Sequence, residues 1–294
     1  MKHNQSPPSI PSGDRTLGTR PATKISVSLK APRVIGVTPA PAAAAVAVVP
    51  SYNEAANIQS LIDEVMALPI GLDILIVDDA SPDGTGDIVR THPLFGSRVF
   101  LIARTGPRGF AFACRDGFRW ALDHGYSVAV EMDADFSHDP AAIPKLLREL
   151  ENGSDVALGS RYAGGIRVMN WPVRRLLLSL FAGCYTRFFT GLSLRDPTSG
   201  FKAIRSRVLR VMDWDKFTAN GYGFIIEFHF LAVRRGFHIS EVPIVFTERC
   251  RGASKMSFQI MLECARAVLK LSWSRVLHPQ RTVATQRIES FELA

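Results

Sequence analysis

The sequence predicts an open α/β fold, with a parallel β-sheet covered by helices. Short apolar runs alternate along the chain with longer segments whose apolar residues recur at helical spacing. The strand-like runs, such as ILIV at residues 74–77 and VFLI at residues 99–102, contain no polar residues, which is typical of strands buried on both faces. Alternation of such strands with helices favours a parallel sheet between helical layers.

The individual elements follow from these patterns. The predicted order is strand 45–49, helix 57–68, strand 73–77, helix 85–90, strand 99–103, helix 109–124, strand 127–132, helix 141–151 and strand 155–158. Residues 1–43 are rich in Pro, Ser, Thr and basic residues, and we expect a disordered basic head. Residues 279–294 are predicted to form a loose tail, which leaves residues 44–278 as the folded domain.

Composition restricts the partners and the compartment. The formal net charge of +8 indicates an anionic partner, which could be nucleic acid, an acidic membrane surface or a phosphorylated substrate. The sequence has no run of about 18 apolar residues and no apolar core in its first 30 residues, so we expect neither a spanning helix nor a secretory signal. Four cysteines without a C-x-x-C pair suit free thiols in a reducing cytoplasm.

Acidic and turn residues follow three of the predicted strands. In open α/β sheets, ligands bind beyond the carboxyl ends of the strands, so these residues should meet at one edge. They are Pro50-Ser51-Tyr52-Asn53-Glu54, Asp78-Asp79-Ala80-Ser81-Pro82-Asp83-Gly84-Thr85 and Asp133-Ala134-Asp135.

Asp133 and Asp135 are candidate metal ligands. Residues i and i+2 at a strand end point the same way, so both carboxylates can reach one Mg²⁺ or Mn²⁺ ion that also binds substrate phosphates. Such an ion would neutralise charge on a departing diphosphate. A solvated acidic loop is the alternative.

The other acids have structural alternatives as well. Asp78 and Asp79 could accept hydrogen bonds from a nucleobase or ribose, although only one of them need face the cleft. They could instead stabilise the turn that follows. Asn53 and Glu54 could be an N-cap and a first-turn acid of the following helix.

These motifs, together with several downstream, resemble family 2 glycosyltransferases with the GT-A fold, an open mixed and mostly parallel sheet flanked by helices. Within that family they look like polyprenyl-phosphate (dolichol-phosphate) mannose synthases. The resemblance covers about residues 45–260. Its downstream motifs are Ser137-His138-Asp139-Pro140, Gly159-Ser160-Arg161-Tyr162, Asn170-Trp171-Pro172, Asp196-Pro197-Thr198-Ser199-Gly200-Phe201, Glu241-Val242-Pro243-Ile244, and Arg249 followed by Gly252, Ser254, Lys255 and Met256.

The resemblance implies inverting transfer of mannose from GDP-mannose to a polyprenyl phosphate. It implies nucleotide contacts by Pro50, Tyr52, Glu54, Asp79 and Asp133, with Ala134 between the two metal ligands and Asp135 as the main one. The sequence departs from the family at 104–111, where a Lys followed by Gly-Leu-Gly is usual and Arg108 and Phe110 stand here. Ser137 occupies a position where some relatives carry a metal-binding Gln.

Basic residues in these motifs are candidates for binding the acceptor. A phosphate monoester is already anionic and needs no strong general base, but it needs cations to hold it in line. The candidates are Arg161, Arg174, Arg249 and Lys255, with Ser199 and Ser254 as further donors. Asp133, Asp135, Arg161 and Lys255 are the predicted catalytic residues, and Asp196 is expected to orient neighbouring groups.

Two amphipathic segments, 174–192 and 258–276, carry apolar and basic residues together, which suits an anionic bilayer surface. Core helices are the alternative. With a lipid acceptor, we expect a cytoplasmic protein peripheral on the inner face of the membrane, and a membrane-protein partner is a further candidate.

Three other functions compete with this one. A sister enzyme would use UDP-glucose or a UDP-N-acetylhexosamine with the same lipid. A processive polysaccharide synthase would carry Gln-x-x-Arg-Trp, which this sequence lacks. A nucleic-acid-binding protein would explain the charge, but the acidic edge and the absence of aromatic–basic interleaving argue against it.

Overall fold

The structure is a computed structural model, and it describes residues 1, 33–35, 44–219, 221–248 and 258–277. By its contacts the chain divides into residues 1–30 and residues 31–294, and every described residue except Met1 lies in the second unit. The predicted tail and almost all of the predicted head therefore lie outside the described residues. The described residues of the head are Met1 and a strand at Arg33–Ile35, which the sequence did not predict.

Ten strands are described. They are β1 (Arg33–Ile35), β2 (Ala45–Ser51), β3 (Leu72–Asp78), β4 (Val99–Ala103), β5 (Val128–Glu131), β6 (Val156–Ser160), β7 (Val168–Met169), β8 (Lys202–Arg205), β9 (Ile239–Pro243) and β10 (Phe246–Thr247). Eight of them form one sheet in the order β1-β4-β3-β2-β5-β8-β6-β9, and β7 pairs with β10 in a separate parallel ribbon. In the main sheet, β1 and β8 run antiparallel to their neighbours and the other pairings are parallel. The predicted mostly parallel sheet is confirmed.

Eight α-helices are described. They are α1 (Ile58–Met66), α2 (Thr85–Thr91), α3 (Phe110–Asp123), α4 (Ile143–Glu151), α5 (Val173–Thr190), α6 (Ser206–Arg210), α7 (Gly223–Arg234) and α8 (Phe258–Leu277). All helices predicted from periodicity are present, with ends shifted by a few residues. The predicted helix 141–151 begins later than expected, at Ile143, and is preceded by a short 3₁₀ turn at Pro140–Ala142 whose N-terminus is capped by Asp139.

The central strands are buried on both faces, as predicted. In β2, Val46 and Val48 pack into one core with Phe118 of α3, whereas the alternating Ala47 packs into the other core with Leu61 of α1. Side chains of a strand alternate between faces, so a strand covered by helices on both sides must be apolar throughout.

The strand order creates a crevice at one edge. From β2 the chain moves outward to β3 and β4, and then returns to place β5 on the opposite side of β2. Such a reversal leaves space beyond the carboxyl ends of the strands flanking it, which is where ligands bind in open α/β sheets.

A third core lies away from the sheet, between α5, α7 and α8. It contains Leu192, Ile226, Phe230, Val268 and Leu271. Among the described helices, none is both long and apolar enough to cross a membrane.

Candidate active site

The crevice at the sheet edge contains a cavity of about 410 Å³, here called the acidic cavity. It is lined by the end of β2 and the residues that follow β2, β3 and β5, by the start of α3, by the two residues before α7, and by α8. The lining residues are Pro50, Ser51, Tyr52, Glu54, Asp79, Arg108, Gly109, Phe110, Ala113, Asp133, Ala134, Asp135, Gly221, Tyr222, Ile260 and Glu263. Seven of the eight predicted donor-binding residues are brought together here.

The eighth, Asp78, does not line the cavity. Its carboxylate accepts hydrogen bonds from the Ser81 amide at 3.0 Å and from the Ser81 hydroxyl at 2.5 Å, so it stabilises the turn after β3. Asp79 points the other way, and its Oδ2 accepts a hydrogen bond from the Gly109 amide at 2.6 Å. Its Oδ1 pairs with the buried guanidinium of Arg104. This pairing fixes Asp79 at the N-terminus of α3.

Glu54 and Tyr52 extend the wall of the acidic cavity. Glu54 is buried, and its carboxylate accepts a hydrogen bond from the Asn57 amide group at 2.9 Å. The Arg108 guanidinium donates to the Tyr52 hydroxyl at 2.9 Å and lies 4.8 Å from the centre of its ring. Arg108 is the cation that the atypical segment 104–111 contributes to this cavity.

Asp133 and Asp135 lie just beyond β5. Asp135 is buried and its Oδ1 accepts a hydrogen bond from the Ser137 amide at 3.0 Å, whereas the side chain of Asp133 is about one-third exposed. The hydroxyl of Ser137 is buried without a hydrogen-bond partner among the described residues. Glu131 is the last residue of β5 and does not line the cavity.

This donor set fits Mg²⁺ or Mn²⁺. Both ions favour oxygen ligands, and Mg²⁺ typically takes one or two carboxylates and completes its shell with substrate phosphates and water. Among the described residues, no group of three or more His, Cys, Asp or Glu side chains forms a closed metal cluster. A two-carboxylate site with an unpaired hydroxyl beside it leaves coordination positions for a substrate.

A second cavity of about 370 Å³, here called the apolar cavity, adjoins the first. Asp133 and Tyr222 line both cavities. Its polar end is formed by Asp133, Ser137, His138, Arg161, Trp171, Arg175, Ser179, Thr198, Ser199 and Gly200. Phe246 of β10 packs against this end. The remainder lies between α5, α7 and α8 and is lined by Leu178, Phe181, Ala182, Tyr185, Thr186, Tyr222, Ile225, Ile226, Met261, Cys264, Ala265 and Val268.

Arg161 is the central cation of the polar end. It donates from Nε and Nη2 to the two carboxylate oxygens of Asp196, at 2.7 and 2.6 Å, and from Nη2 to the Thr198 hydroxyl at 2.8 Å. Burial alone would lower the pKa of Arg161, but the Asp196 carboxylate raises it. Burial would raise the pKa of Asp196, but the guanidinium holds it below its usual range. The two groups therefore form a buried ion pair, in which the carboxylate of Asp196 fixes the orientation of the Arg161 guanidinium.

Arg175 is the second cation at this end, although the sequence pointed to its neighbour. Arg174 is exposed and does not line the cavity. Arg175 lines it, stacks on Trp171 at 4.3 Å and pairs with Glu248 at 2.7 Å. The indole N–H of Trp171 is buried without a partner among the described residues, so it is a further donor for an anion.

Ser199 and His138 complete the polar end. The Ser199 hydroxyl donates to the Gly159 carbonyl at 2.5 Å, which fixes the side chain at the cavity wall. Burial lowers the pKa of His138, and its Nδ1 accepts a hydrogen bond from the Asp133 amide at 3.1 Å. His138 is therefore neutral and braces the backbone of Asp133.

Three predicted residues, Arg249, Ser254 and Lys255, lie outside the described residues. Their roles stay predictions. Conversely, Arg104, Arg175 and Tyr222 line or support the cavities but were not among the predicted site residues. Arg104 lies in the basic segment that follows β4, and Arg175 lies in the amphipathic segment of α5. Their positive charge close to a recognised motif is the feature of the sequence that could have identified both.

Residues 46–212 match the family described as Glycosyl transferase family 2. The chain is 44% identical over 211 residues to polyprenol monophosphomannose synthase of Mycolicibacterium smegmatis, covering 71% of this chain and 80% of the relative. It is 41% identical over 216 residues to undecaprenyl-phosphate mannosyltransferase of Micrococcus luteus, covering 74% and 88%. It is also 35% identical over 232 residues to dolichol-phosphate mannosyltransferase of Pyrococcus furiosus, covering 76% and 62%.

Among solved structures, the chain resembles glucosyl-3-phosphoglycerate synthase of Mycobacterium tuberculosis in complex with Mn²⁺, UDP-glucose and phosphoglyceric acid. The TM-score is 0.56 at 20% identity, and the match covers 83% of this chain and 84% of the other. At this identity the likeness establishes a shared fold.

Proposed function

The chain belongs to glycosyl transferase family 2, and from that premise we propose that it transfers mannose from GDP-mannose to a polyprenyl monophosphate, with inversion, to give polyprenyl-phosphate mannose. The names of the relatives at 41–44% identity support the sugar and the lipid acceptor. The nucleotide of the donor is carried over from the sequence resemblance.

The observation that carries the proposal is the pair of adjoining cavities. One has carboxylates beside a basic segment, as a metal-bound sugar diphosphate requires. The other has arginines at one end and an apolar channel between helices over the rest, which matches one phosphate joined to a long hydrocarbon chain. The two meet at Asp133 and Tyr222, so the reacting atoms of both substrates would meet there.

The chemistry requires positioning more than proton transfer. A phosphate oxygen of the acceptor attacks the anomeric carbon, the new O–C bond forms, and the bond from that carbon to the nucleoside diphosphate breaks with its electrons. The attacking oxygen is already anionic, so no strong base is needed. Arg161 and Arg175 hold the acceptor phosphate near the junction, supported by Ser199 and the Trp171 N–H.

Asp133 and Asp135 would hold the divalent cation, with the Ser137 hydroxyl beside them. When bound, Mg²⁺ or Mn²⁺ supplies positive charge to the departing diphosphate. Pro50, Tyr52, Glu54, Asp79 and Ala134 would surround the nucleotide, with Arg108 as an additional cation. Arg249, Ser254 and Lys255 are proposed for the acceptor phosphate on the resemblance, and Lys255 is proposed as catalytic on the same ground.

The location proposed is the cytoplasmic face of the membrane. Leu178 and Phe181 line the apolar cavity and are also 48% and 67% exposed, so the cavity opens on an exposed apolar face of α5. Val173, Leu177 and Phe188 extend this face at 70%, 60% and 78% exposure. An apolar face beside basic residues suits insertion into an anionic bilayer surface, where the acceptor lipid resides.

The test is a substrate panel. The purified protein with Mg²⁺ is offered labelled GDP-mannose, UDP-glucose and UDP-N-acetylglucosamine together with a short polyprenyl phosphate. We expect a lipid-linked product from GDP-mannose. If a lipid-linked product formed from a UDP-sugar and not from GDP-mannose, the proposed donor would be wrong. Salt-dependent RNA binding without any sugar transfer would overturn the proposed function.

A further inference from the structure

The floor of the active site contains a buried ion pair that the proposed chemistry does not use. Glu131 ends β5, Lys202 begins β8, and the two residues are direct partners in the last rung of this antiparallel pairing. The Lys202 ammonium lies 2.8 Å from the Glu131 carboxylate, and both side chains are almost completely buried. A lysine and a glutamate with no exposure are unusual in a protein core.

The rung lies at the point where two functional loops diverge. Beyond Glu131 the chain reaches Asp133 within two residues. Beyond Lys202, in the opposite chain direction, it reaches Gly200 and Ser199, which line the apolar cavity. The ion pair therefore joins the segment that bears the metal-binding carboxylates to the segment that lines the acceptor side.

Lys202 also holds the acceptor-side loop directly. Its ammonium donates a hydrogen bond to the Gly200 carbonyl at 3.2 Å. His229 of α7, which has no exposure, donates from Nδ1 to the Pro197 carbonyl at 3.0 Å. The loop 196–200 is thus held by hydrogen bonds to two of its carbonyl groups, those of Pro197 and Gly200. This loop contains Asp196, which orients Arg161.

A role in stability alone does not account for the pair. Removing two charges from water is costly, and replacing a buried ion pair with apolar residues of similar volume is often neutral or stabilising. What the pair does supply is a fixed geometry, because a shift of either strand would separate the charges in a site without solvent. Reactions of the proposed kind depend on such fixed geometry.

We propose that Glu131 and Lys202, together with His229, are positioning residues that hold the 196–200 loop, and through it Arg161, at a fixed distance from Asp133 and Asp135. This inference rests on the proposed function, since it assumes that the apolar cavity binds a polyprenyl phosphate.

The test is the neutral double variant Glu131→Gln/Lys202→Met, which removes both charges at nearly constant volume. Binding of a short polyprenyl phosphate and of Mg²⁺·GDP is measured directly by calorimetry, and the melting temperature is recorded alongside. We expect the double variant to fold with a melting temperature near that of the wild type, and its Kd for the lipid phosphate to rise about tenfold. Its Kd for Mg²⁺·GDP should change less than twofold.

His229→Leu provides a second route that leaves the ion pair intact. It removes the hydrogen bond to Pro197, and we expect the same selective loss of affinity for the lipid phosphate. If the double variant does not fold, this variant decides the question. Lipid-phosphate affinity within twofold of the wild type, or equal losses for both ligands, would overturn the proposal.

The matched control is Arg98→Met, which breaks a partly exposed ion pair with Asp73 at the start of β3, away from both cavities. It should leave both affinities unchanged. Failure of the wild type itself to bind polyprenyl phosphate would count against the proposed function, whereas normal wild-type binding with unaltered variants would count against the positioning role alone.

Discussion

The acidic cavity and the apolar cavity share Asp133 and Tyr222 but are built in different ways. The acidic cavity is formed mainly by short segments at and directly after the ends of parallel strands. Two of its acids, Asp79 and Asp135, accept hydrogen bonds from backbone amides, those of Gly109 and Ser137. The apolar cavity is lined mainly by side chains of α5, α7 and α8 and of the loops between residues 133 and 200.

The charges of the two cavities differ in sign for a chemical reason. A sugar diphosphate that arrives with a divalent cation needs carboxylates to hold that cation. A phosphate monoester without its own cation needs guanidinium groups instead. Opposite charges placed at one sheet edge therefore fit a reaction with two phosphorylated substrates, of which one carries a metal.

The largest expected effect is at the metal side. Asp135→Asn keeps the size of the side chain but removes its charge, and we expect kcat/KM for sugar transfer to fall by at least about 100-fold. Steady-state assays over a range of Mn²⁺ concentrations measure the loss, and lipid-phosphate binding should persist. The exposed Asp213→Asn serves as the control, and activity of Asp135→Asn within about threefold of the wild type would refute the metal assignment.

Arg161→Lys tests the acceptor side with charge retained. Lysine cannot make the two-point contact with Asp196, so we expect the KM for the lipid to rise by about tenfold to 100-fold. The Kd for Mg²⁺·GDP should not change. If the affinity for the donor fell as strongly as the affinity for the acceptor, the assignment of the donor to one cavity and the acceptor to the other would be wrong.

Arg175→Ala and Arg174→Ala form a matched pair of adjacent substitutions on α5. We expect about a tenfold loss of kcat/KM for the lipid acceptor at Arg175, whose charge faces the cavity, and a smaller loss at Arg174. Acceptor titrations of both variants measure the difference. The reverse order would restore the assignment of Arg174 made from the sequence.

The smallest effect is expected at the exposed face of α5. Phe188→Ser removes an apolar side chain that would insert into the bilayer, and we expect binding to anionic vesicles to weaken several-fold. Vesicle co-sedimentation measures the change, while activity on a short, water-soluble acceptor should persist. The control is Val211→Ser, at an exposed residue just after α6, and equal effects at both positions would exclude a specific membrane face.

The sequence predicted the acidic cavity better than the apolar one. Strand β4 has the bounds predicted for it, because its apolar run is local information. Asp79 rather than Asp78 faces the cavity, in line with the expectation that only one of the two would do so.

The residues of the apolar cavity were harder to predict from the sequence. Strand β8 was not predicted, since its position depends on pairing with β5 and β6 and its first residue, Lys202, is charged yet buried. Arg174 and Arg175 are adjacent arginines that the sequence alone does not distinguish. The orientation of α5 about its own axis determines which of them faces the cavity. Tyr222 reaches the junction through the packing of α7, which no local motif encodes.

The junction at Asp133 and Tyr222, the two residues that line both cavities, bears on kinetics. Two substrates that occupy separate cavities do not have to displace one another, so both can be present in a ternary complex before transfer. On the proposed function, the nucleoside diphosphate and the glycosylated lipid would lie in different cavities after transfer, and neither would block the departure of the other. On that assignment, the shape of the site favours a sequential mechanism, in which both substrates bind before the sugar is transferred.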